Sequence, residues 1–241
     1  LAWFYAWVVL SGFLVLIQPL FTLFIAPMFN TFTPLEDGQL KDRINDFAKK
    51  VHFPISRIDV MDGSRRSSKS NAYFSGLGKN KRIALFDTLI EKHSVDELLS
   101  IIAHEVGHYK KRHNIKGIVL GVVQTGIMFF LLSIFLNNPG LFAAFKMENL
   151  SIYASLLFFS VLYSPIELIM SFVGNAISRK HEFEADAFAK KSIETGKHLI
   201  NGLKNLTVTN LGNLTPHPLT VWMSYSNPPV LDRIHALFDA D

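Results

Sequence analysis

The chain has 241 residues, 49% of them hydrophobic, and 24 Lys and Arg against 20 Asp and Glu give a net charge of +4. So small and dispersed a charge argues against a nucleic-acid partner, and Arg65-Arg66 and Lys110-Lys111-Arg112 read as solvated loop or juxtamembrane anchors. There is no cysteine, which excludes disulfides and thiolate metal sites, so any metal must be held by His and carboxylate.

The apolar residues are gathered into blocks. Residues 1–25 carry no charge, and Trp3, Tyr5 and Trp7 cluster at one end as an interfacial aromatic belt does. About 20 such residues cross the hydrocarbon core as a helix. The block lacks a basic n-region and exceeds the length of an h-region, so it reads as a membrane span rather than a signal peptide. The chain starts at Leu1 instead of methionine, as a fragment or a product that has lost its start does.

Residues 26–114 form a polar segment. Leu40, Ile44, Phe47, Ala48 and Val51 recur at helical spacing. Two short β-like runs, 58–61 and 82–86, flank a Ser/Gly/Lys-rich stretch. Residues 94–113 read as a helix, with Ser94 as N-cap and Glu97 three residues on, as in a capping box.

A second span is expected over 115–136, uncharged from Gly117 onward, then a short loop over 137–149 and a third span over 150–173. Pro165 and Glu167 interrupt the third, and Glu167 is expected to face protein or water, or to lie near the interface. Residues 174–198 read as another helix, and the tail to 241 is loop-rich around Pro216, Pro218, Pro228 and Pro229. Of the 24 Lys and Arg only Lys146 falls between the second and third spans, so the other 23 place the polar parts on the cytoplasmic side.

His104-Glu105-Val106-Gly107-His108 fits H-E-x-x-H. On a helix, positions i and i+4 share a face ~5–6 Å apart, so the two imidazoles converge on one zinc. Glu105 reaches a water at that metal without binding the metal, as a general base does. A catalytic zinc needs a third protein ligand and one open position. Glu182 and Asp186 are four apart on the helix after the third span, which suggests Glu182 on zinc and Asp186 orienting a ligand imidazole. His181 is the rival ligand, a plain surface carboxylate the rival reading of Asp186, and Glu184 points roughly to the opposite side. The remaining histidines, His113 among them, show no ligand spacing and read as structural or surface residues.

H-E-V-G-H at 104–108, followed after a pair of spans by E-F-E-A-D-A-F-A at 182–189, resembles the Ste24 type of CAAX prenyl proteases, in peptidase family M48. So do Ser70-Asn71-Ala72-Tyr73-Phe74, the run from Lys79 to Leu89, and Tyr225-Ser226-Asn227-Pro228-Pro229 with Arg233. The resemblance covers essentially the whole chain. It implies one zinc per chain on His104, His108 and Glu182, and an edge strand at Asn71 and Ala72 that hydrogen-bonds an extended peptide substrate. It also implies cleavage of the C-terminal tripeptide from farnesylated or geranylgeranylated proteins within a chamber of membrane helices.

Family members carry four further spans N-terminal to these, so the chain reads as their C-terminal part. Where the family usually has a histidine before the double proline, this chain has Asn227, whose amide still donates a hydrogen bond to an oxyanion but without positive charge. Arg233 is either a source of positive charge there or one half of a structural ion pair.

The expectation is a mainly α, integral membrane protein: three transmembrane helices with a zincin-like α+β metalloprotease unit facing the cytoplasm. The membrane is that of the endoplasmic reticulum in a eukaryote and the inner membrane in a bacterium. Its partners are the lipid bilayer and a prenylated or other peptide or protein substrate. The rival functions are membrane quality control of the related HtpX kind, cutting unprenylated proteins, and a weakly active binder of prenylated or stalled proteins.

Overall fold

The computed structural model describes residues 1–65, 71–75, 81–136, 138–146 and 151–238. Arg66, Ser70, Lys79 and Asn80 lie outside the described residues, as do 137 and 147–150 of the second connection and 239–241 of the tail. In chain order the elements are α1 (Ala2–Leu20), a π-helical turn (Phe21–Ile25), α2 (Ala26–Phe29), β1 (Phe32–Pro34), α3 (Gln39–Lys50) and β2 (Ile55–Met61). A 3-10 turn (Gly63–Arg65), β3 (Ala72–Ser75), β4 (Lys81–Phe86), α4 (Asp87–Lys92) and α5 (Val95–Lys110) follow. The rest is helical: α6 (His113–Phe135), α7 (Pro139–Ala144), α8 (Ile152–Ile193), α9 (Lys197–Thr209), α10 (Pro218–Ser224) and α11 (Val230–Phe238).

The four strands form one sheet in the order β1-β2-β4-β3. β2 and β4 are parallel, while β1 and β3 pair antiparallel on the two outer sides. β4 holds the centre because Ile83, Ala84 and Leu85 are fully buried. Asp59 on β2 is also fully buried, and its carboxylate accepts from Arg57 at 2.5 Å and from Arg82 on β4, tying the parallel pair together. Among the described residues β3 is an edge, with Ala72 opposite Leu85 and Phe74 opposite Ile83. The sequence reading anticipated β2 and β4 but not the three-residue β1, too short to show an alternation.

α5 runs through the middle. Leu98, Leu99, Ile101, Ile102, Ala103 and Val106 are buried between the sheet on one side and α8 and α9 on the other. Its start is the expected capping box: the Glu97 backbone N–H donates to Ser94 Oγ, and the Ser94 N–H donates to Glu97 Oε2. It stops three residues earlier than the pattern suggested, because Arg112 takes a left-handed conformation with φ of 56° and starts a new helix.

α6 and α8 are long and apolar enough to cross a membrane; α1 is apolar over the shorter stretch Ala2–Ile17. α1 lies along α6, where Trp7 Nε1–H donates to the Val122 carbonyl at 2.9 Å and its ring fills the space left by Gly126. Most of the residues expected as a third span (150–173) and as a separate helix (174–198) form one 42-residue helix, α8, which ends at Ile193 because Glu194 is left-handed. Nothing between 173 and 174 breaks the backbone ladder. Pro165 removes the N–H that would bond the Val161 carbonyl, and the Ser164 hydroxyl donates to that carbonyl at 2.8 Å instead. Glu167 is exposed on this helix, with no other element of the chain packed over it among the described residues.

Candidate metal centre and cleft

α5 and α8 cross at Gly107. A Cβ there would sit 3.0 Å from Ala185 Cα and 3.1 Å from its carbonyl oxygen, tight enough that a larger residue would have to push the two backbones apart by a few tenths of an ångström. The crossing sets the H-E-x-x-H face of α5 against the first turn of the 182–186 segment on α8.

His104, His108 and Glu182 meet there. The two Nε2 atoms are 3.1 Å apart. Glu182 Oε2 lies 3.4 Å from His104 Nε2, and Glu182 Oε1 lies 3.4 Å from His108 Nε2. One donor atom from each residue falls within 4.8 Å of the others. Bond lengths of ~2.0–2.2 Å at tetrahedral angles put neighbouring donors about 3.3 Å apart, so this two-nitrogen, one-carboxylate set fits zinc.

The far nitrogens are also held. His104 Nδ1 lies 2.8 Å from Asp186 Oδ1, and since a carboxylate only accepts, Nδ1 carries a proton, so that in the neutral ring the Nε2 lone pair faces the donor triangle. Asp186 is 2% exposed, and Arg233 of α11 clamps it in a two-pronged bond: Nε donates to Oδ2 at 2.7 Å and Nη2 to Oδ1 at 2.6 Å. Arg233 Nη1 lies 3.3 Å from Glu182 Oε2 as well. The guanidinium is thus spent on the two carboxylates of α8 and reaches across from the tail to the motif helix. Burial works against the charge on Arg233, but the hydrogen bond to Asp186 and the negative charges of Asp186, Glu182 and Glu105 together outweigh it and raise its pKa.

Burial likewise opposes a charged His104, but hydrogen bonds with Asp186 and Glu182 outweigh it and raise the metal-free ring to about 9. Burial raises the Glu105 carboxyl above the ordinary glutamate range, with the neighbouring His104 and His108 pulling the other way.

Two groups that the sequence reading set aside belong to this cluster. His113, at the start of α6, brings Nδ1 to 3.0 Å from His108 Nδ1, and its Nε2 to 3.1 Å from Glu184 Oε2. His181, the rival ligand, is turned away from the donor triangle and stacks flat on His113 at 3.9 Å. The bend at Arg112 that swings His113 back has no signal in the sequence.

A cleft of about 330 Å³ opens over the site. His104, Glu105, His108, Glu182, Arg233 and Asn227 border one part, Asn71 and Ala72 of the edge strand another. Leu89, Ile101, Leu199, Leu203 and Leu206 make an apolar wall. All nine residues singled out in the sequence therefore come together: eight on the cleft, and Asp186 behind His104. Glu105 faces the cleft from within the motif, and exposed Asn227, followed by the buried Pro228, lines it too.

The comparisons agree in direction. Residues 34–240 match the sequence model of peptidase family M48. The chain is 38% identical over 239 residues to CAAX prenyl protease 1 of Saccharomyces cerevisiae, covering 92% of this chain and 52% of that protein. It is 35% identical over 276 residues to the CAAX prenyl protease 1 homolog of Homo sapiens, covering 97% and 57%. The crystal structure of S. mikatae Ste24p superposes with a TM-score of 0.88 at 37% identity, over 98% of this chain and 58% of that one. The chain thus spans a little over half the length of these relatives.

Proposed function

The chain belongs to peptidase family M48, and from that premise we propose that it is the zinc-bearing part of a membrane metalloendopeptidase that removes the C-terminal tripeptide of prenylated CAAX proteins. One observation carries the reading: a donor triangle with zinc spacing opens into the same cleft as a strand edge that has no second partner among the described residues, and Glu105 lines that cleft too. The layout is three spans, 1–25, 115–136 and 150–173, with a zincin-like unit assembled from 26–114 and 174–241 on the cytoplasmic side. The family names and the apolar α6 and α8 support the membrane setting, and the distribution of Lys and Arg supports the orientation.

An extended substrate adds to the free edge of β3 by backbone hydrogen bonds, which hold a peptide regardless of its side chains. Asn71 and Ala72 sit at the end of that edge nearest Glu105. Aliphatic side chains of the substrate fit the leucine-rich wall. Zinc, when bound by His104, His108 and Glu182, supplies a Lewis acid that polarises the scissile carbonyl and acidifies the attacking water. The Glu105 carboxylate takes a proton from that water and returns it to the leaving amine. Asn227 offers an amide N–H to the developing oxyanion. Asp186 and Arg233 keep His104 in the tautomer whose Nε2 lone pair faces the donor triangle.

The test is hydrolysis of a farnesylated CAAX peptide by detergent-purified protein, beside the same peptide without the farnesyl group. Glu105→Gln is expected to lose at least a hundredfold in rate while keeping its zinc. Equal cleavage of the unprenylated peptide would move the substrate class to general membrane proteolysis, and absence of zinc from the parent protein would overturn the reading.

A further inference from the structure

The two imidazoles of the donor triangle are supported in different ways. His104 Nδ1–H goes straight to a carboxylate, but His108 Nδ1 meets a second imidazole, His113, at 3.0 Å, and His113 Nε2 meets Glu184 Oε2 at 3.1 Å. With neutral rings only one proton assignment satisfies both contacts. Glu184 can only accept, so His113 carries its proton on Nε2, and its bare Nδ1 accepts from the Nδ1–H of His108. That leaves the His108 lone pair on Nε2, the atom that points at the donor triangle.

We propose that His113 and Glu184 are positioning residues of the metal centre, a two-link relay that fixes the tautomer and ring orientation of His108 as Asp186 does for His104. The proposal rests on the zinc site argued above and adds its outer support. Three features build the relay. A continuous helix would turn position 113 about 140° away from position 108, whereas the left-handed Arg112 ends α5 and points His113 back at it. His113 is 4% exposed, and the His181 ring lies parallel to it with only 9° between the planes, holding its orientation. Glu184 is two residues beyond Glu182 on α8, so one stretch of helix serves both His104 and His108 from different sides.

A role of this kind shows in metal affinity rather than in folding. Groups that orient a ligand imidazole are worth about ten- to a hundredfold in metal binding. Full-length protein, stripped and titrated with zinc against a competing chelator, is the assay, with the melting temperature of the metal-free form measured in parallel. His113→Phe keeps a flat ring against His181 and removes both nitrogens; it is expected to weaken zinc about ten- to a hundredfold with little change in metal-free melting. His113→Gln, whose side-chain carbonyl accepts from His108, is expected to recover part of the loss. Zinc bound by His113→Phe as tightly as by the parent overturns the relay. A parent protein that binds no zinc overturns the underlying metal centre instead, so the two failures are distinguishable. Should His113→Phe fail to fold, Glu184→Ala decides, because that carboxylate is 30% exposed and its loss leaves no cavity. Weaker zinc binding supports the relay, and unchanged binding overturns it.

Discussion

Asp186 is the most tightly engaged carboxylate of the site, holding His104 on one oxygen and both prongs of Arg233. Asp186→Asn keeps an acceptor for His104 but breaks the charged fork with Arg233, leaving a guanidinium without its main partner. Zinc affinity is expected to fall about ten- to a hundredfold, read by chelator competition, with the helical circular dichroism retained. His104 adds a pH dependence whose sign follows from its raised pKa. Because the metal-free ring moves from 6.5 to about 9, it is charged at neutral pH and zinc must displace a proton. Zinc affinity should therefore climb about tenfold per pH unit up to about 9 and level off above. Calorimetry in buffers of different ionisation heat reads the released proton. The metal-free protein runs the other way. The stabilisation from charged His104 is complete below 6.5 and is lost as pH rises through about 9, so its melting temperature should fall across that window.

Between elements, the crossing of α5 and α8 is the contact on which the centre depends. Gly107 is flanked by His108 on one helix and faces Ala185, itself fully buried, on the other. Gly107→Ala has no room to grow, since the obstacle is backbone rather than the end of a flexible side chain. The helices must part by a few tenths of an ångström, at a cost of about 1–3 kcal/mol, and the Glu182 carboxylate moves away from both imidazoles. A lower melting temperature together with weaker zinc binding is expected; a variant as stable and as tight as the parent would show that the crossing tolerates a methyl group. On the opposite side of α5, β3 stays an open edge because β4 is its sole partner among the described residues. That unpaired side makes strand addition available to a peptide.

Across the whole molecule, α8 joins membrane and metal centre in one piece. Its 42 residues extend about 63 Å, twice the thickness of a hydrocarbon core, so with the proposed span over 150–173 the half beyond it would carry Glu182, Glu184 and Asp186 clear of the bilayer. The orientation is open to a direct test because the chain has no cysteine. Single cysteines at Lys146, between the spans, and at exposed Lys204 on α9 should react with a membrane-impermeant maleimide from opposite sides of sealed, oriented vesicles. Position 204 is expected to label from the cytoplasmic side. Labelling of both from one side would overturn the three-span arrangement.

How much of this was legible in the linear chain follows from the range of the interactions involved. The H-E-x-x-H helix, its capping box, the i, i+4 pairing of Glu182 with Asp186 and the apolar blocks are set within one or two helical turns or by composition, and such signals survive without a fold. Asn71, Ala72, Asn227 and Arg233 had no local pattern of their own and were named only through resemblance. The tertiary structure decided the rest. Arg233 lies 47 residues from Asp186 and turns out to be a clamp on two carboxylates. His113 lies 71 residues from Glu184 and comes beside His108 only because the backbone reverses at Arg112. α8 runs unbroken through Pro165, where the Ser164 hydroxyl bonds the Val161 carbonyl that the proline leaves without its helical partner. Periodicity reports which face of a helix is buried, but it carries no information about which distant helix lies against that face, and the support of the metal centre is built from such contacts.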